Sequence, residues 1–192
     1  MVGIVLGAAS FFVVFWVDAV SVHNVRHVKP LLWISAAALF MAGLVLAARD
    51  PSPFVLPAAL SAAGWVLATL FFLLLVYSLF IEIPLVSAYV RKGTAPAVVC
   101  RGTYALCRHP GVLWLAGFLL SLLLATGSRA LIIAVPLWVG LDVLWVVLQE
   151  RLYFVRMFGA AYESYQRTVP LLVPNPRSVR ECIRTVFRTE RM

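Results

Sequence analysis

Residues 101–118 read RGTYALCRHPGVLWLAGF, and the fold turns on the change of character inside them. Arg101, Tyr104, Arg108 and His109 make a polar, basic group, and Pro110 then leads into a run that stays almost wholly apolar to Ala125. Proline suits the first turn of a helix, where its missing N–H leaves no bond unmade. A lipid-facing helix gains nothing from such a cluster, because uncompensated polar groups are costly in hydrocarbon. Two readings fit the stretch. The arginine and histidine anchor a helix end at headgroup level, or they line a pocket for a charged cosubstrate at the membrane–cytosol boundary.

Outward from this point, apolar runs of membrane-spanning length recur. Of 192 residues, 63% are apolar and only 12% charged, and the charges are segregated. That composition excludes an ordinary soluble domain. The runs Val2–Val22, Leu31–Ala48, Pro57–Ile81, Gly111–Ala125 and Ala130–Leu148 predict an all-α, polytopic protein with about five transmembrane helices. The last two form a helical hairpin around the tight turn TGSR at Thr126–Arg129. A single integral-membrane domain is expected, with a three-span part (1–90), a connector, hairpin and C-terminal segment (91–175), and a basic tail (176–192). The C-terminal segment is expected to be amphipathic and cytosolic.

The net charge of +8 suits arginine excess on a cytosolic face and contact with anionic lipid, not nucleic acid. With the N-terminus outside and the C-terminus in the cytosol, 14 of the 16 Lys and Arg residues fall on the cytosolic side. The first apolar run lacks a basic leader and a small-residue cleavage site, so it reads as a retained helix. Cys100, Cys107 and Cys182 fall on the cytosolic side, where free thiols are expected. His23 and His27 are four apart and can share a helix face. With no third ligand nearby, no metal site is expected. Asp18 reads as an interfacial carboxylate. Asp142, Trp145 and Gln149 fall on one face of the fifth run, a polar stripe that should face protein or a water-filled cavity.

Two separated pieces carry the chemistry: GTYALCRHP at Gly102–Pro110, and ERLYFVRMFGAAYESYQRTVPLLVP at Glu150–Pro174. Together they resemble the C-terminal half of the integral-membrane methyltransferases, the isoprenylcysteine carboxyl methyltransferase and phospholipid N-methyltransferase group. In that family an Arg-His-Pro segment precedes a helical hairpin. An acidic helix start, Phe-Gly, two tyrosines and a closing proline follow it. The matching residues are Gly102, Tyr104, Arg108, His109, Pro110, Glu150, Phe158, Gly159, Tyr162, Tyr165 and Pro174. The chain departs from the pattern at Val112 and Trp114, where the family has tyrosine and glycine, and at Arg151, where it has a second acid.

The resemblance implies S-adenosylmethionine as methyl donor and a lipophilic acceptor, either a small molecule or a lipidated substrate, at the surface of membrane lipid. It implies that Tyr104, His109, Pro110, Gly111, Glu150 and Tyr162 hold the cofactor. Arg108, Glu150 and Arg151 are then the candidate catalytic residues. A guanidinium fork matches a carboxylate acceptor in two hydrogen bonds. An amine or thiol acceptor needs a base, for which Glu150 or Asp142 is the candidate. The C-terminal layout is also similar to that of the membrane sterol and steroid reductases, so an NADPH-dependent reductase is a competing expectation. A non-enzymatic membrane subunit is a third. The acceptor and the oligomeric state stay open at this point.

Overall fold

A computed structural model of the chain describes residues 1–22, 28–51, 53–82 and 98–186. The helices are α1 (Val2–Val22), α2 (Val28–Ala48), α3 (Ala58–Val76), α4 (Thr103–Leu106), α5 (Pro110–Thr126), α6 (Arg129–Gln149), α7 (Val155–Phe158), α8 (Ala160–Thr168) and α9 (Pro176–Thr185). Two π-helical turns, Tyr77–Glu82 and Glu150–Phe154, prolong α3 and α6. No strand occurs among the described residues.

Each of the five apolar runs is helical. Three stretches among the described residues are long and apolar enough to cross a membrane: Pro30–Ala48, Ala58–Glu82 and Arg129–Phe158. Val2–Val17 and Pro110–Thr126 are shorter apolar helices. The outward faces carry Phe12, Ile34, Trp65, Val66, Leu73 and Ile132, all largely exposed. So much bare apolar surface belongs in lipid, not in water. The His23 and His27 pair, the side chain of Asp18, residues 83–97 of the connector and residues 187–192 of the tail lie outside what is described.

By packing, the chain divides into two compact units. Unit 1 comprises Met1–Leu70 and Ala116–Gln149. Its α1 and α2 meet through small residues, because lipid provides no hydrophobic drive between helices and close backbone approach must supply the attraction. A Cβ on Gly43 would sit 2.5 Å from the Gly7 nitrogen, and one on Gly3 would sit 2.8 Å from the Ala47 nitrogen. On α6, Trp138 is fully buried against Gly7, and its indole N–H donates to the Ile4 carbonyl at 3.1 Å. Ser128 caps the start of α6: its hydroxyl donates to the Ala47 carbonyl at 2.6 Å and accepts from the Leu131 N–H at 3.3 Å.

Unit 2 comprises Phe71–Leu115 and Glu150–Met192. It holds the π turn after α3, α4, the start of α5, the π turn after α6, and α7 to α9. Its final helix is well specified locally. Pro176 sits at the first helical position, and Asn175 and Ser178 form a reciprocal cap, with the Ser178 N–H reaching Asn175 Oδ1 at 2.9 Å.

Candidate functional site

Among the described residues of unit 2, the buried polar contacts gather on the loop from Gly102 to His109. Gly102 has φ +58°, and a Cβ there would run into the Glu82 carboxylate, so only glycine serves. Its N–H donates to Thr185 Oγ1 at 2.9 Å, which fixes the loop to α9. The Thr103 N–H donates to Glu82 Oε1 at 2.8 Å, and the Thr103 hydroxyl bonds to the other oxygen. At the far end of the loop, the backbone N–H groups of Arg108 and His109 donate to the carbonyls of Pro170 (2.9 Å) and Leu171 (3.3 Å). The stretch after α8 therefore binds the loop through its main-chain carbonyls.

The second anchor of the loop is Glu150, the first residue of its π turn and only 5% exposed. A π turn carries one extra residue, which redirects the side chains around it; such turns recur at functional sites. His109 Nε2 donates to Glu150 Oε1 at 2.8 Å, and the Tyr162 hydroxyl donates to the same oxygen at 2.9 Å. Gln166 Nε2 donates to Oε2 at 2.9 Å. Arg108 Nε lies 3.0 Å from Oε1 as an ion pair, but it is not aligned for a hydrogen bond and is left as a buried spare donor. The carboxylate thus fills the acceptor-only role of an ionised group, with four protein donors around it.

Aromatic rings close the other side. Phe154 lies edge-on to Tyr162 at 5.4 Å between centroids and parallel to His109 at 6.3 Å, while Phe158 stacks on Tyr162 at 5.9 Å. Burial, and then the neighbouring Glu150 carboxylate, hold the Tyr162 hydroxyl protonated far above its usual range. Tyr162 therefore stays a donor at any physiological pH. Tyr165 is likewise raised by burial, and its hydroxyl donates to the Tyr104 carbonyl at 2.6 Å. Burial pushes the Cys107 thiol up to about 12, which makes it an inert packing group.

Of the residues expected from sequence, the fold brings Arg108, His109, Glu150 and Tyr162 into one contact network. Tyr104 sits in the adjoining layer, its own hydroxyl directed to the Ser78 carbonyl at 3.3 Å. Pro110 and Gly111 begin α5, with Pro110 fully buried. The amides of Arg108 and His109 are taken by the chain itself, so they are not free to hold a cofactor. Arg151 is exposed and has no partner among the described residues. Asp142 is buried within unit 1. Three contributors escaped the sequence reading. Glu82 closes an apolar helix and Phe154 lies within the second motif, but nothing in the spacing singled them out, and Gln166 is an ordinary polar helix residue. A half-open cleft of about 210 Å³ also lies in unit 2, lined by Tyr77, Glu82, Arg101 and Thr185. His109 and Glu150 do not line it. No protein family, curated protein or solved structure matches the chain.

Proposed function

We propose that this protein is an S-adenosylmethionine-dependent methyltransferase working at the membrane–cytosol interface on a lipophilic acceptor. The observation that carries the reading is the contact of His109 with Glu150 at 2.8 Å, which joins two motifs 41 residues apart. On this reading the two shorter apolar helices also cross the membrane. Pro110–Thr126 has 17 residues and reaches about 25 Å, the short end of what suffices. Five spans then leave the 102–109 loop and everything after Glu150 on the cytosolic side, in keeping with the arginine distribution.

The side chains suit the cofactor's chemistry. A carboxylate bordered by Phe154, Phe158 and Tyr162 favours a cationic ligand. When bound, S-adenosylmethionine would supply an electrophilic methyl group. His109 and Tyr162 hold Glu150 in place, so its charge is fixed before any ligand arrives. On this reading Arg108 orients an acceptor carboxylate, which needs no base. Arg151, being exposed, suits a headgroup or the solvent side of an acceptor.

A second reading has one observation in its favour. Glu150 is already surrounded by the chain's own donors, as it would be in a non-enzymatic membrane subunit where the network only staples the loop. One set of measurements separates the readings. S-adenosylmethionine and NADPH are titrated separately into detergent-solubilised protein, and the melting temperature is followed. Stabilisation by S-adenosylmethionine alone is expected, lost in His109→Ala and in Glu150→Ala. Membranes given methyl-labelled donor should then transfer label to a lipid or lipidated fraction. Stabilisation by NADPH alone, or by neither, overturns the methyltransferase reading.

A further inference from the structure

Helix α9 turns one face inward and leaves the other bare. Inward, Ser178 is buried and Thr185 receives the Gly102 N–H at 2.9 Å. Outward, Arg177, Val179, Arg180, Ile183 and Arg184 are all exposed, Ile183 at 65%. At 100° per residue the three arginines fall within roughly 60° of arc, and Val179 and Ile183 occupy an adjoining strip of roughly 40°. The helix has one carboxylate, Glu181, and it pairs with Arg184 at 2.8 Å on the surface. Arg177 and Arg180 have no partner among the described residues, so the face is cationic beside an aliphatic edge. Just before the helix, Val173 is 80% exposed.

We propose that this face of α9 docks on an anionic phospholipid surface of the membrane in which the chain sits. The three guanidinium groups meet lipid phosphates, while Val179 and Ile183 enter the acyl boundary. Charge complementarity selects this occupant, since basic residues flanking an aliphatic strip are the signature of a helix lying in the headgroup plane. The docking does not depend on which reaction, if any, the Glu150 network supports. It puts lipid on one side of α9 and the loop on the other, where Thr185 receives the Gly102 N–H.

The test uses full-length protein carrying Cys100→Ser, Cys182→Ser and Ile183→Cys, spin-labelled at the new cysteine; Cys107 is buried and stays unlabelled. It is reconstituted in phosphatidylcholine vesicles with or without roughly 30 mol% phosphatidylglycerol, enough to give a negative surface potential. With the anionic lipid, the label should gain collisions with oxygen and lose collisions with a water-soluble nickel chelate, each severalfold. The triple variant Arg177→Gln, Arg180→Gln, Arg184→Gln should lose this difference, and the corresponding triple lysine variant should keep it. Equal exposure in the two vesicle types overturns the proposal, and that comparison leaves the arginines untouched, so no folding defect can excuse it. Sheltering from both reagents also overturns it, because it marks a protein surface such as a second copy of the chain.

Discussion

The α1–α2 contact in unit 1 and the Glu150 network in unit 2 are built from opposite materials. The first has almost no polar side chains. It works because Gly3, Gly7, Gly43 and Ala47 let two backbones approach until a single added carbon would not fit. The second is made of a buried carboxylate, an imidazole, a guanidinium, a phenol and an amide. Attraction in unit 1 is dispersion, which is lost gradually as surfaces part. Attraction in unit 2 is electrostatic in a dry place, where removing one partner strands the others. One contact has little polarity to lose, and the other is held by a buried carboxylate with several donors.

The sharpest way to break that contrast is Glu150→Ala. It leaves His109, Arg108 and Tyr162 buried without their acceptor, and the expected loss is about 3–5 kcal/mol. Cys107 provides the readout. In a Cys100→Ser, Cys182→Ser background, Cys107 should become reactive toward maleimide at pH 8, while amide exchange in Val2–Val22 and Val28–Ala48 stays slow. Equal acceleration of exchange in α1 and α2 would show that the units are not held separately.

Gly43→Ala is the converse. Its methyl meets the Gly7 backbone at 2.5 Å, and backbone cannot swing aside. A loss of about 2 kcal/mol is expected from overpacking. Exchange should rise in α1 and α2 while Cys107 stays protected. Protected amides throughout would mean that the small-residue contact is not what holds the pair.

Tyr162→Phe is the finest probe. It keeps the ring and its stacking on Phe158 but removes one of the donors to Glu150. His109 and Gln166 still satisfy the carboxylate, so the loss should be about 1 kcal/mol, seen as a small drop in melting temperature with Cys107 still unreactive. A loss as large as that of Glu150→Ala would show that the network acts as one unit and not as a set of separable bonds.

The helices were legible because runs such as Ala130–Leu148 leave a membrane chain no other way to satisfy its backbone. The turn at Thr126–Arg129 was legible for the same reason in reverse. GIVLG at 3–7 and GLVLA at 43–47 announce the α1–α2 contact by small residues four apart, and that signal went unread. The π turns were not legible. Nothing in YSLFIE or ERLYF differs from ordinary helix; in the fold, Glu82 at the end of one turn and Glu150 at the start of the other both bind the 102–109 loop. Spacing likewise cannot say that Glu150 lies against His109; that grouping came from resemblance to a family, not from chemistry along the chain. The resemblance also put weight on Arg151, which the fold leaves exposed. It gave none to Gln166, whose contribution exists only once α8 folds back.

The binding of the Arg108 and His109 amides to the carbonyls of Pro170 and Leu171 has a consequence in time. A ribosome delivers the loop some sixty residues before it delivers the carbonyls that complete it, since domains assemble as they emerge. The residues of unit 1 are all made by Gln149, before any of the second motif exists. Until translation passes residue 171, the loop's amides, its histidine and its arginine have neither Glu150's full donor set nor those carbonyls, and newly made chains pass through a stage in which helices are inserted but the site is still unmade.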